Sequence, residues 1–303
     1  MFDEALKIEL KANFDNIIFD EPLKKHVTMH VGGPADGFLN VSEQEIPKAV
    51  DFCKKHGISY FVLGNGSNTV VRDGGYRGLV LCIGRKMNSI ELLEDNTLSV
   101  QAGAKLSAVA ECAAKNSIGG FEFLAGIPGN LGGALVMNAG AYGGEIKNLV
   151  VSVTFLEDGK VNTALCEELG FGYRKSYFMN HPTAIITGAV LKGYKAEESQ
   201  IRSQMSEYAS KRSASQPLEY PSSGSFFKRP EGYFAGKLVQ DCGLKGYKSG
   251  GACISEKHAG FVINIGDATC KDIQMLADHV KNCVNEKFGV ILEPEVRFIG
   301  SDE

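Results

Sequence analysis

The sequence predicts an α+β fold in more than one domain, and three observations carry that prediction. Short apolar strand patterns and helical patterns are mixed along the whole chain, with no internal repeat. At 303 residues the chain is long enough for two domains, or three small ones, with well-buried cores. A strongly polar stretch, KAEESQIRSQMSEYASKRSASQPL from Lys195 to Leu218, reads as an exposed helical connector and puts a boundary near residue 200.

Taken in order, MFDEALKIELKANF has a helix-like mixture of acids, lysines and apolar residues, without the cationic start and apolar core of a signal peptide. Ser42 precedes EQEIPKAVDFCKKHG, a capped helix with Ile46, Val50 and Phe52 in helical spacing, and Gly57 stops it before the strand SYFVL. This βαβ-like unit ends at the loop Leu63-Gly64-Asn65-Gly66-Ser67-Asn68. Strands follow at GLVLCIG, SIELL and TLSVQAG, then a helix at KLSAVAECAAKN and a second glycine-rich region from Gly119 to Glu145. VVSVTFLEDGKVNTAL reads as a hairpin turning at Asp158-Gly159, and AIITGAVLKGY as a further strand. Beyond the connector, GSFF, GGACIS and FVINIG are strand signals, TCKDIQMLADHVKNCVNEKFG is a long helix, and PEVRFIG is a final strand.

A formal net charge of -4 gives no basic footprint, which argues against nucleic acid as a partner. No apolar run approaches the roughly 20 residues needed to span a bilayer, so no membrane association is expected. The eight cysteines form no Cys-x-x-Cys pair or close Cys/His set. They are expected to be buried thiols in a reducing cytoplasm, with no metal bound.

Four stretches can carry chemistry. In Gly64-Asn65-Gly66-Ser67-Asn68 the glycines permit left-handed dihedrals and close approach of a ligand, while Asn and Ser can bond local backbone or phosphate oxygens. A plain hairpin turn is the competing reading, because the loop has neither the third glycine of a dinucleotide fingerprint nor a Gly-Lys-Ser/Thr ending. The glycine density from Gly119 to Gly144 is entropically costly and favours close backbone approach to a large flat or phosphorylated ligand over an irregular loop. In GFGYRKSYF, Arg174 lies among aromatics, either as a packed surface stem or as a guanidinium held to meet a carboxylate. Ser225 in PSSGSFFKRP has no nucleophile elbow, so it is a turn residue or a proton donor. In LEPEVRFIG, strand alternation puts Glu293, Glu295 and Arg297 on one face, with Val296 and Phe298 on the other as anchors.

Together, LGNGSN, IPGNLGGALVMNAGAYGGE, FGYRKSYF, GSFFKRP, GLKG followed by GGACIS, and LEPEVRFIG, in this order, resemble the UDP-N-acetylenolpyruvoylglucosamine reductases, also called UDP-N-acetylmuramate dehydrogenases. The resemblance runs from about Leu23 to Gly300, and six weak motifs in register are jointly specific. It implies a two-subdomain FAD-binding region of the vanillyl-alcohol-oxidase type over residues 1–200, split near 85–95. A C-terminal α+β substrate domain over 201–303 would follow, its last strand returning to the active site. The tyrosine-bearing insertion of the longer family class is absent, so the chain resembles the shorter class.

The resemblance implies noncovalent FAD, cradled by Gly64, Asn65, Gly66, Ser67 and Asn68 and lined by Ile127, Pro128, Gly129, Gly132, Gly133, Asn138, Gly140, Ala141 and Gly143. It places the catalytic roles on Arg174, Ser225 and Glu295. Tyr173 and the basic residues Arg212, Lys228, Arg229 and Lys245 are candidates to meet the substrate, with a solvated face as the alternative for the basic ones. NADPH would reduce the flavin and leave. The UDP-N-acetylglucosamine enolpyruvate would then accept hydride and a proton to give UDP-N-acetylmuramate, a peptidoglycan precursor. A cytoplasmic location and no obligatory protein partner are expected. An alcohol oxidase of the same FAD fold would explain the two glycine-rich loops but not Arg174, Ser225 and Glu295, and a non-catalytic nucleotide-binding module would show no spectral change with NADPH.

Overall fold

The computed structural model describes all residues, Met1–Glu303, and the chain divides into two compact units. The first comprises Met1–Phe38, Gly66–Leu79 and Ser213–Glu303, and the second Leu39–Asn65 and Val80–Arg212. This departs from a linear division at residue 200. The N-terminal segment and Gly66–Leu79 belong with the C-terminal third, and the expected split near 85–95 falls inside the second unit. The reason is packing between residues remote in sequence: Met29, Val31 and Val70 are buried in one core with Phe226, Leu238, Val262, Ile273, Leu276 and Val280.

In the first unit, the N-terminal helix Glu4–Asn13 is capped by Asp3, whose carboxylate accepts the Leu6 amide at 2.8 Å. An antiparallel sheet runs in the order Ser222–Ser225, Phe261–Asn264, Ala252–Ile254, Lys248–Ser249. The short final strand Arg297–Ile299 pairs parallel with Thr69–Val71. The expected alternation holds in part: Val296 is buried while Glu293 and Arg297 are exposed, but Glu295 and Phe298 are both half-buried.

The long helix Cys270–Phe288 buries Ile273, Leu276, Ala277, Val280 and Val284 along one stripe, and Gly289 ends it in the left-handed region at φ 66°. Its first turn accounts for its free amides fully. Thr269 accepts the Asp272 amide at 3.0 Å, and Asp272 returns a bond from the Thr269 amide at 2.9 Å. Asp73 takes the other two, from Cys270 at 2.8 Å and Lys271 at 3.0 Å. A carboxylate at this end is also favoured by the helix dipole. Asp73→Ala is therefore expected to lower stability by about 1–2 kcal/mol, read as a shift of the urea unfolding midpoint. An unchanged midpoint would show that water replaces both bonds at no cost.

In the second unit, helix Glu45–His56 buries Ile46, Val50 and Phe52 and stops at Gly57, φ 63°. Strand Tyr60–Leu63 follows. The central sheet has the antiparallel order Lys160–Leu165, Val150–Glu157, Ile185–Lys192, Thr97–Gln101, Ile90–Leu92. Its hairpin turns at Asp158 and Gly159, both at positive φ, between the paired Glu157 and Lys160. The glycine-rich region is not one irregular loop: Leu131–Met137 forms a short helix through Gly132 and Gly133. Gly140–Ala141 pairs with Gly144–Glu145 as a small hairpin. All eight cysteines are free thiols, and burial pushes the Cys53 thiol up to about 12. No helix is long and apolar enough to cross a membrane.

Candidate active site

The loop after strand Tyr60–Leu63 is divided between the units at Asn65/Gly66. In the second unit, Asn65 donates from its amide to the Pro128 carbonyl at 3.1 Å, which ties the first glycine-rich stretch to the second. Asn130 is 6% exposed; its Nδ2 donates to the Ile83 carbonyl at 3.2 Å while its Oδ1 is buried without a partner. An unpaired buried acceptor is costly, so an oxygen held this way is poised for a donor from a ligand. Asn130 lies within the Ile127–Gly133 loop that the family resemblance assigns to the cofactor, and its buried, unpaired oxygen is visible only in the folded chain.

Two glycines beside Asn130 have no structural reason to be glycine. A Cβ on Gly64 would meet nothing nearer than Asn130, at 4.0 Å, and one on Gly133 would meet nothing within 4 Å. Neither has a positive φ. Open space over two glycines, beside an unpartnered acceptor and the exposed Pro128, is a cradle that fits close approach of a cofactor.

Other glycines answer to the chain itself. A Cβ on Gly66, φ 63°, would lie 2.3 Å from the His26 carbonyl oxygen within the first unit. On Gly132 it would press the Ala102 Cβ at 3.3 Å, and on Gly140 it would strike the Gly144 carbonyl oxygen at 2.5 Å. Gly143 and Tyr142, both at positive φ, form the tip of the hairpin that carries Ala141. The Tyr142 ring stacks on Tyr208 with centroids 4.3 Å apart. Ile127 and Gly129 are half-buried, and the Gly129 carbonyl accepts the Leu106 amide at 3.0 Å. In the first unit, Ser67 and Asn68 are half-buried just ahead of Thr69–Val71.

Arg174 occupies a tight turn. Gly172 and Lys175 exchange backbone hydrogen bonds at 3.0 and 3.1 Å, leaving Tyr173 and Arg174 at the centre with Arg174 at φ 50°. A non-glycine residue in this region costs about 1–3 kcal/mol, so the surrounding structure must hold it there. Ser176, 1% exposed, anchors the turn through a 2.7 Å bond to the Val136 carbonyl. The Arg174 guanidinium donates to the Asn138 carbonyl at 3.4 Å and lies 5.3 Å from the ring centre of Tyr173. Lys147, 2.7 Å away, holds the Glu145 carboxyl below the usual range, helped by Asn138 and Arg174. Asn138 itself is fully buried, so its side chain lines no open cavity.

Ser225 and Glu295 are brought onto adjacent backbone segments of the first unit. The Phe226 carbonyl accepts the Glu295 amide at 2.8 Å, the Glu293 carbonyl accepts the Lys228 amide at 2.8 Å, and Phe227 bridges Pro294. Gly224, φ 76°, sits at a bulge between Ser222 and Ser225, a device that re-aims the next side chain. Ser225 is consequently exposed, while Phe226 and Phe227 are buried. Asn68 locks the far side, donating to the Glu295 carbonyl at 3.2 Å and accepting the Arg297 amide at 2.9 Å. Arg174 belongs to the other unit.

The basic residues divide. Arg212 is half-buried and donates to the Gly126 carbonyl, so it braces the glycine-rich segment. Lys228 pairs with Glu293 at 2.9 Å, and Arg229 stacks over Phe234 at 3.9 Å. Lys245 is half-buried and near enough to His258 to oppose its protonation. Burial first, and Lys245 second, push the His258 imidazole down, and its Nδ1 faces the Gly260 amide at 3.1 Å.

Two family models match the chain: an FAD binding domain over residues 38–164 and the UDP-N-acetylenolpyruvoylglucosamine reductase C-terminal domain over residues 216–299. A UDP-N-acetylenolpyruvoylglucosamine reductase of Clostridium perfringens (strain SM101 / Type A) is 44% identical over 292 residues, 96% of this chain and 95% of that protein. The chain belongs to the UDP-N-acetylenolpyruvoylglucosamine reductase family. Another member, from Agathobacter rectalis, is 46% identical over 94% of both chains. The crystal structure of the reductase from Thermus caldophilus superposes with a TM-score of 0.81 at 34% identity, covering 93% of this chain and 98% of that one. The α+β fold and the FAD-binding region read from the sequence are those of this family.

Proposed function

We propose that this member of the reductase family reduces the enolpyruvyl double bond of UDP-N-acetylglucosamine enolpyruvate, with NADPH as donor and noncovalently bound FAD as carrier, in peptidoglycan precursor synthesis. A cytoplasmic location belongs to the same reading. The observation that carries it is the cradle of Gly64, Gly133 and Asn130, which fits a flavin, in a chain alike to reductases over nearly its whole length. Residues 1–200 would supply most of the FAD-binding region and 201–303 the substrate domain, with N-terminal segments packed into the latter's core.

FAD held at the cradle of Gly64, Asn130 and Gly133 would supply the hydride chemistry, linking oxidation of NADPH to hydride addition at the methylene carbon of the enolpyruvyl group. The chain's own residues do the rest. Charge then develops on the neighbouring carbon and spreads into the carboxylate, where the planar guanidinium of Arg174 stabilises it. The Ser225 hydroxyl donates the proton that this carbon requires. Glu295 orients that hydroxyl or relays a proton to it. Tyr173, Lys228, Arg229 and Lys245 remain candidates to contact substrate, while the bond from Arg212 to Gly126 favours a bracing role for it.

The purified protein is expected to be yellow, to bleach anaerobically with NADPH, and to regain its colour on adding the enolpyruvyl nucleotide. Colourless protein that takes up no FAD would overturn the cofactor reading. Bleaching without reoxidation by that nucleotide would overturn the substrate reading.

A further inference from the structure

We propose that Asn138 is a positioning residue for Arg174, and that it acts through the strained turn and not by binding the cofactor; the inference rests on the reductase reading above. Four observations converge on it. Asn138 is 0% exposed, a rare setting for an asparagine unless its polar atoms are fully used. Each has a partner: Nδ2 donates to the Gly172 carbonyl at 2.9 Å and Oδ1 accepts the Lys147 amide at 3.2 Å. Its backbone carbonyl is the oxygen that the Arg174 guanidinium reaches, at 3.4 Å. Its own φ of 42° closes the helix Leu131–Met137, so this carbonyl is aimed by a left-handed cap.

The arrangement has a mechanical logic. The turn Gly172–Lys175 holds Arg174 in an unfavourable backbone region and would relax unless its surroundings fix it. Asn138 grips this turn at its first carbonyl and the guanidinium at its tip. The bond to the Lys147 amide fixes the segment whose ammonium pairs with Glu145, a carboxylate that feels the charge of Arg174. One buried side chain thus couples the end of the cofactor-side helix to the orientation of the arginine that meets the substrate carboxylate.

The test is a double-mutant cycle in anaerobic stopped flow, on the wild type, Asn138→Gly, Arg174→Ala and the double variant. Glycine keeps the left-handed backbone and removes only the amide. Reoxidation by the enolpyruvyl nucleotide is expected to fall about 10-fold on Asn138→Gly when Arg174 is present, and less than about 2-fold in the Arg174→Ala background. A purely structural role would give the same factor in both backgrounds, and that result overturns the proposal. Loss of FAD from Asn138→Gly would overturn it too, by returning Asn138 to the cofactor. Should Asn138→Gly not fold, Asn138→Asp keeps the acceptor for the Lys147 amide and sets a carboxylate oxygen against the Gly172 carbonyl, and the same background dependence is expected. A wild type that the nucleotide fails to reoxidise would defeat the reductase reading instead, so the two failures are separable.

Discussion

Ser225→Ala is expected to keep its flavin and its reduction by NADPH while reoxidation by the enolpyruvyl nucleotide slows by a factor on the order of 10² or more, as for loss of a positioned acid. The structure makes this a clean experiment. Ser225 is exposed on an edge strand, and the bonds that hold the segment are backbone bonds, from the Phe226 amide to Gly260 and from the Glu295 amide to Phe226. Removing one exposed hydroxyl should change stability by no more than about 0.5 kcal/mol. Ser225→Cys is expected to retain more activity than alanine, because a thiol can also donate a proton. An alkyl hydroxyl is a poor acid in water, yet an enolate-like carbon is a strong base, so placement matters more than acidity. Wild-type reoxidation by Ser225→Ala at saturating substrate would assign the proton to another group or to water.

How much of this was legible in the sequence depends on the range of the interaction. The helix Cys270–Phe288 could be read from Thr269, its apolar stripe and Gly289, and the hairpin from Asp158-Gly159, because caps and turns are decided by residues a few positions apart. The unit composition could not. It depends on Met29, Val31 and Val70 entering a core built mainly by residues beyond 220, and on Asp73 capping a helix 197 residues away. The alternation in Glu293 to Phe298 was visible, but that its backbone bonds to Phe226 bring Glu295 beside Ser225 was not. Arg212 illustrates the same limit: sequence shows a cation, and only packing shows that its donor goes to the Gly126 carbonyl. Family motifs pointed to Asn138, yet the motif cannot tell a residue that touches a ligand from one that holds the residue that does.

That distinction decides how the flavin cradle should be tested. Gly66, the more conspicuous glycine of its loop, is the wrong probe: its φ of 63° and the 2.3 Å approach of the His26 oxygen mean that Gly66→Val must damage the fold, whatever binds nearby. Gly64 and Gly133 separate the two causes, because the chain itself leaves room for a side chain at both. Gly133→Ala, inside the helix Leu131–Met137, should stabilise the apoprotein by about 0.5–1 kcal/mol through helix propensity. The same methyl group, and the larger one of Gly64→Val, would occupy space the cofactor needs. Overpacking of this kind costs about 1–3 kcal/mol, which corresponds to a rise in the FAD dissociation constant of roughly 5- to 150-fold. The expected pattern is therefore an apoprotein as stable as wild type or more so, measured by thermal unfolding, with weaker flavin binding measured by fluorescence titration. Undiminished FAD affinity in both variants would show that the cradle lies elsewhere in the chain. A parallel loss of apoprotein stability would show that these glycines serve the fold after all.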